Sequence, residues 1–249
     1  MTPRSLRSCL RLLLAGIPMA AMTPAWAAEG AQVVIELFTS QGCASCPPAS
    51  QVLSEFAKKP GIIALTFPVT YWDYLGWKDD LGLPAFTDRQ RAYANLRGVR
   101  QLFTPQAIVN GEPSMVRSDR DSLDRNVRNA RKAGAFPVQV RSTEQGDRIA
   151  IEIDAASGPE TQGEVWLLPV LHKRTVAIGQ GENKGQVIEY INVVRGLQRV
   201  GSWAGRAARY DIPRSTARVG EADTYVVVLQ GGSKNHPARI LGAAAAPGF

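Results

Sequence analysis

The sequence predicts an α/β domain, a mixed sheet flanked by helices, followed by an all-β, sandwich-like domain. Three observations carry this. Apolar runs of strand length alternate with helix-patterned segments up to about residue 135. A Cys43-Ala44-Ser45-Cys46-Pro47-Pro48 stretch stands where the first strand gives way to the first helix. From Phe136 onward helical periodicity is lost, and β-branched and aromatic runs follow one another between glycine-rich or polar turns. The expected division is residues 1–27 as a leader, 28–135 as the α/β domain and 136–249 as the β-rich domain.

The leader is read first because it changes the composition. Arg4, Arg7 and Arg11 precede a short apolar run, Leu12 to Met22, and Ala25-Trp26-Ala27 has the small-x-small pattern of a cleavage site. This is the pattern of a Sec-type secretory signal peptide, too short to span a bilayer, and it predicts a periplasmic or secreted protein with no stable membrane anchor. The whole chain has 249 residues, 29 basic and 22 acidic, for a net charge of +7. Without residues 1–27 there remain 26 basic and 22 acidic residues, a net +4, and two of the 3 cysteines. The charge is scattered rather than blocked, which argues against nucleic acid as a partner.

Val33 to Phe38 reads as a strand, and Ala49, Val52, Leu53 and Phe56 recur at helical spacing before Pro60-Gly61. Pro47 and Pro48 suit a first helical turn, where the missing N–H costs nothing. Ile62 to Phe67 is an uninterrupted apolar run, as in a buried parallel strand. Thr87 or Asp88 is expected to cap a helix through Leu96. Gln106 to Val109, Asn110-Gly111 and Ser114 to Arg117 read as a hairpin. Ser118 or Asp119 is expected to cap a last helix with Leu123, Val127 and Ala130 on its apolar face. In the β-rich part, strands are expected over residues 137–143, 148–153, 164–171, 186–194 and 225–230. The alanine-rich tail, Gly242 to Phe249, is expected to be loosely ordered.

The chemistry concentrates in Cys43 and Cys46. At a helix N-terminus the unpaired N–H groups and the positive end of the helix dipole favour a thiolate, so Cys43 is expected to be exposed and activated, with Cys46 one turn behind. A disulfide closing so short a loop removes little chain entropy, so stability alone is a poor reason for the pair. Taken alone, the pair is consistent with a redox centre, a metal clip or an inert bridge. Ser40 and Ser45 are candidates to hydrogen-bond a thiolate, although caps are the commoner use of such serines.

The order of elements, the C-x-x-C before the first helix and Thr104-Pro105 before a strand and an Asn-Gly hairpin resemble the thioredoxin fold. That resemblance implies a cis-proline at Pro105 facing the cysteines. It also implies thiol–disulfide exchange by Cys43 with Cys46 resolving, and Thr104 beside the substrate. By the same likeness Asp73 is a candidate proton acceptor for Cys46. More narrowly, Phe38-Thr39-Ser40-Gln41-Gly42-Cys43-Ala44-Ser45-Cys46-Pro47-Pro48-Ala49 is similar to a secreted bacterial family of unknown function. So are Tyr71–Trp77, Gly181–Gly185 and Asn192–Arg195. Gly42 replaces the tryptophan that commonly precedes the first cysteine of a thioredoxin.

The remaining candidates are weaker. Trp72 and Trp77 lie in a loop after the second strand, where they can wall a substrate site or pack an interface. His172 and His236 are the only histidines; a copper-binding metallochaperone, one alternative function, would add an imidazole to the two thiolates, and a protein-interaction module with an inert disulfide is the other. Gly181-Glu182-Asn183-Lys184-Gly185 reads as a hairpin turn. No dinucleotide or phosphate-loop fingerprint is present, so no cofactor is expected. The reading is thus an exported thiol–disulfide oxidoreductase whose partners are proteins with cysteines.

Overall fold

Seven consecutive buried residues, Val33–Thr39, form strand β1. In the computed structural model, which describes residues 31–117, 119–134, 136–158 and 160–249, it runs between two strands. The expected leader, residues 1–27, and the expected cap Ser118 lie outside the described residues. The α-helices are α1 (Cys46–Phe56), α2 (Pro84–Leu96) and α3 (Arg120–Lys132). β2 (Ile62–Pro68) pairs parallel with β1, and β3 (Gln106–Val109) pairs antiparallel on its other side, with β4 (Glu112–Arg117) beyond it. Asn110 and Gly111 both have positive φ, 52° and 68°, as the tight turn joining β3 to β4 demands.

Eight strands follow: β5 (Val140–Gln145), β6 (Arg148–Ile153), β7 (Gly163–Ala177), β8 (Val187–Val194), β9 (Gln198–Trp203), β10 (Ala208–Pro213), β11 (Thr224–Ser233) and β12 (His236–Ala245). They do not stand apart from the α/β part. The main sheet runs β12-β11-β7-β8-β2-β1-β3-β4, with β8 parallel to β2 at Thr66 and Val193, so it is mixed and continuous across residue 136. The 15-residue strand β7 makes the join. Its first half pairs with β9 and its second half with β8, while β11 follows its other edge.

Period-two alternation along β7 and β11 feeds two cores from one sheet. Trp166, Leu168, Val170, Val226 and Val228 pack with Phe38, Phe67, Phe86 and Tyr93, beneath α2. Val165, Leu167, Tyr225, Val227 and Leu229 point the other way, onto Ile149, Ile151 and Ile153 of the separate β10-β6-β5 sheet. The sandwich-like part is therefore that small sheet laid on one end of the main one. α1 and α3 cover the face of β1, β2 and β3 opposite α2 through Leu53, Phe56, Leu123 and Val127.

Four expectations are corrected. α1 begins at Cys46, so Cys43 precedes the helix instead of opening it, because Pro47 and Pro48 occupy its first turn. α2 begins at Pro84, and Thr87 lies within it, accepting a hydrogen bond from Thr70 N at 3.2 Å rather than capping. The strands β9, β10 and β12 were not expected from the sequence. The alanine-rich tail is ordered through Ala245 as part of β12, where residue 242 approaches β5 so closely that only glycine fits. The cap of α3 is Asp119, which accepts from Ser122 N at 2.9 Å.

Candidate redox site

The segment Ser40–Ser45 joins β1 to α1 and has no secondary structure of its own. Tight turns shape it: Gly42 N donates to Ser40 Oγ at 3.1 Å, Cys43 N to Ser40 O at 3.2 Å and Cys46 N to Cys43 O at 3.1 Å. Cys43 and Cys46 are joined in a disulfide, with Cα atoms 5.4 Å apart. Ser45 Oγ is 3.5 Å from Cys43 Sγ and makes no capping bond to α1, so this serine serves the sulfur and not the helix. Ser40 is a turn former rather than a thiol partner.

Cys43 is 2% exposed and Cys46 1%, which corrects the expectation of an exposed first sulfur. Two distant segments cover the pair. The loop after β2 brings Trp72 over Gly42, and the Trp72 indole donates to Thr104 Oγ1 at 2.7 Å. The tip of the β7–β8 hairpin brings Asn183, itself 1% exposed, whose amide donates to Gln41 O at 2.8 Å and Cys43 O at 2.9 Å. Trp77 lies between these layers: its ring is against Gly179 and its N–H donates to Gln41 Oε1 at 2.7 Å. Gly181–Gly185 is thus a hairpin turn, and one that reaches the cysteines.

Thr104-Pro105 is a cis peptide bond. Together with Ser45, Pro48, Ala49, Val52, Phe103, Asp119 and Arg120 it lines an open groove of about 730 Å³. The structure therefore brings Thr104, Pro105, Trp72 and the Cys43–Cys46 segment to one place, with Trp77 on the opposite flank. Tyr74, 76% exposed, stacks on Trp72 at 6.5 Å between ring centroids and continues the aromatic surface outward.

Two residues of this neighbourhood were not predicted. Asn183 lies in the Gly181–Gly185 stretch that carries the family likeness, but the sequence reads it only as part of a turn. Asp79 is a buried carboxylate, 2% exposed, that accepts from Gln41 N and Leu81 N, each at 2.9 Å. Burial raises its pKa to about 6; the two N–H donors oppose that rise, and the charges of Asp80 and Asp73 add to it. Asp73, named from the sequence, accepts from Asp79 N at 3.2 Å and so supports the buried carboxylate. Tyr71, behind Trp72, is a buried phenol pushed up to about 12 by desolvation.

The histidines lie elsewhere. His172 on β7 is engaged through both N and Nδ1 with Asp223 Oδ1, at 2.9 and 3.1 Å, and its ring is beside Phe249. His236 opens β12. Among the described residues no group of three or more His, Cys, Asp or Glu is arranged to hold a metal ion, and no helix is long and apolar enough to cross a membrane.

Three comparisons bear on this geometry. Over 37 residues the chain is 46% identical to a "Probable Thioredoxin" of Archaeoglobus fulgidus, a match covering 15% of this chain and 41% of that relative's length. The fold of HBP35 of Porphyromonas gingivalis superposes with a TM-score of 0.57 at 12% identity, over 87% of this chain and 74% of the other. A crystal structure of a protein from Agrobacterium tumefaciens superposes with a TM-score of 0.76 at 34% identity, over 87% of this chain and 94% of the other. Residues 34–230 match the family described as Protein of unknown function (DUF1223), and the chain belongs to that family.

Proposed function

We propose that this protein is an exported thiol–disulfide oxidoreductase with a thioredoxin-like site, acting on protein thiols or disulfides through Cys43 and Cys46. The observation that carries the reading is the Cys43–Cys46 disulfide in the same neighbourhood as the cis Thr104–Pro105 bond, whose groove also takes in Ser45. Cys43 is the exchanging sulfur because it lies in the loop before α1 with Ser45 Oγ as its neighbour, while Cys46 is built into the first turn of the helix. Export is argued from the arginine-led apolar leader of the sequence.

The exchange balances within the pair and its substrate. A substrate thiolate attacks Cys43 Sγ, forming a mixed disulfide, and Cys46 leaves with the bonding electrons and takes up a proton. A second substrate thiol then attacks the substrate sulfur of that mixed disulfide and releases Cys43 as a thiolate. The substrate loses two electrons and gains a disulfide; the cysteine pair gains both. Run backwards, the same steps reduce a substrate disulfide. Thr104 and Pro105 line the groove from which the substrate sulfur arrives, and Trp72 stands beside it through its bond to Thr104.

The test is capture. With Cys46→Ser, Cys43 has no resolving partner, and cysteine-bearing proteins of the native compartment are expected to accumulate as adducts that disappear on reduction. Absence of any adduct, together with a Cys43 thiol that alkylates like an ordinary cysteine, sinks the reading.

A further inference from the structure

All four polar atoms of the Gln41 amide groups, main chain and side chain, are engaged, although the residue is fully buried. Its N donates to Asp79 Oδ2 at 2.9 Å and its Nε2 to Asp80 Oδ1 at 2.8 Å. Its Oε1 accepts from Trp77 Nε1 at 2.7 Å and its main-chain O from Asn183 Nδ2 at 2.8 Å. Gln41 stands two residues before Cys43 in a segment that no helix or strand constrains. These four bonds, together with that of Asn183 to Cys43 O, tie the segment to its cover.

We infer that Gln41, gripped by Asp79, is a positioning residue that holds Cys43 under its cover, and that a proton on Asp79 loosens the grip and opens the sulfur to exchange. The inference rests on the exchange reading above. A carboxylate accepts at both oxygens, and here Oδ2 takes the Gln41 N–H and Oδ1 the Leu81 N–H. A carboxylic acid carries a donor on one oxygen and accepts more weakly than a carboxylate, so protonation removes the charge assistance from both N–H bonds and weakens the hold on Gln41. At 2% exposure bulk water is not at hand to make up the loss.

The charged and titratable groups around Asp79 are few. Asp73 and Asp80 flank it on its own loop; Arg174 of β7 is 4.0 Å from Asp80; Arg195, after β8, donates to Leu81 O at 2.8 Å. From β8, Tyr190 faces the cluster as a neutral phenol, held well above its ordinary range by burial. The carboxyl's own pKa, raised to about 6, separates its titration from that of ordinary surface carboxylates.

The experiment follows reduction of the full mature chain by dithiothreitol. The reductant's thiolate attacks Cys43 Sγ, Cys46 leaves and is protonated, and the second thiol closes the cyclic disulfide and frees Cys43. Rates are divided by the thiolate concentration of the reductant at each pH from about 5 to 8. The wild type is expected to speed up about threefold or more as pH falls through about 6, the scale of one hydrogen bond. Asp79→Asn is expected to give a flat profile. Trp77→Phe, which keeps Asp79 but removes the donor to Gln41 Oε1, is expected to keep the break and react about threefold faster at pH 7.

A break of wild-type size in Asp79→Asn overturns the inference, as does a wild type that exchanges readily with no break. If Asp79→Asn does not fold, Trp77→Phe decides, and an unchanged rate there overturns it. A disulfide that the reductant never opens at any pH is a different failure, since it removes the exchange reading itself.

Discussion

The Asn183 side chain, from the tip of the β7–β8 hairpin, donates to the main-chain carbonyls of Gln41 and Cys43, 140 residues or more away in sequence. Its own Oδ1 is held by Gln186 Nε2 at 3.0 Å, which fixes the orientation of the amide. The β-rich half of the chain thereby completes the surroundings of the cysteine pair. Replacing Asn183 with Ala leaves the buried Gln41 carbonyl without a donor and takes from Cys43 O one of its two, the other being Cys46 N, at a cost of about 1–3 kcal/mol. We expect Asn183→Ala to unfold at correspondingly lower urea concentration and its disulfide to be reduced faster than that of the wild type. Unchanged values for both would show that the hairpin tip does not hold the site.

A second buried network ties β1 to α2 and β11. Glu36 Oε1 accepts from Arg89 Nε and Oε2 from Tyr93 OH, both at 2.7 Å, and the Gln230 amide closes the circle onto Tyr93 and Arg89. Removing one member strands a charge in the core, so Arg89→Ala is expected to cost about 3–5 kcal/mol. The apolar pair Glu36→Leu with Arg89→Met is expected to be less destabilised than Arg89→Ala alone, because no unpaired charge remains. Urea unfolding of the single and double variants decides this. A loss below about 1 kcal/mol for Arg89→Ala would place the pair among ordinary surface ion pairs.

What the sequence makes legible is what local chemistry dictates. The apolar runs of β1 and β2, the prolines at the start of α1, the Asn110-Gly111 turn and the cap at Asp119 each carry their own cause within a few residues. Asp79 and Asn183 do not. Asp79 reads as one acid among several in a polar loop until the fold buries it against Gln41 N, and Asn183 reads as a turn residue until β7 and β8 carry it across the sheet. The burial of Cys43 is hidden in the sequence for the same reason, since its cover is assembled from the loop after β2 and a hairpin more than a hundred residues later. The single sheet spanning both halves is likewise a tertiary fact: its parallel join at Thr66 and Val193 leaves no local mark.

The alanine-rich end of the chain shows how composition misled. Small residues there serve close approach rather than disorder: a Cβ on Gly242 would lie 2.4 Å from Val138 O and 2.6 Å from Val140 Cγ2. Both neighbours belong to a packed segment, one of them main chain, so neither yields without moving a strand. Gly242→Ala is expected to destabilise by about 1–3 kcal/mol or more. Pro247→Ala, at an exposed position beyond β12, is expected to stay within about 0.5 kcal/mol of the wild type. Equal stability for the two variants, measured by denaturant unfolding, would mean that the tail does not pack as a strand.

Asp79 also leaves a signature in stability against pH. Burial, the leading cause, raises its pKa from 3.8 to about 6. The folded protein therefore holds this proton more tightly than the unfolded chain. The resulting stabilisation is fully present below about pH 3.8 and is lost as pH rises through about 6. A shift of roughly two units corresponds to about 3 kcal/mol between those limits. Asn does not titrate, so the unfolding free energy of the wild type minus that of Asp79→Asn is expected to fall by about that amount between about pH 4 and pH 7. At neutral pH the carboxylate then carries a cost in stability while it grips the Gln41 and Leu81 N–H groups, an arrangement suited to fixing geometry rather than to stability. A difference that stays constant across this range would mean that Asp79 titrates as an ordinary carboxylate and is not buried against the cysteine segment.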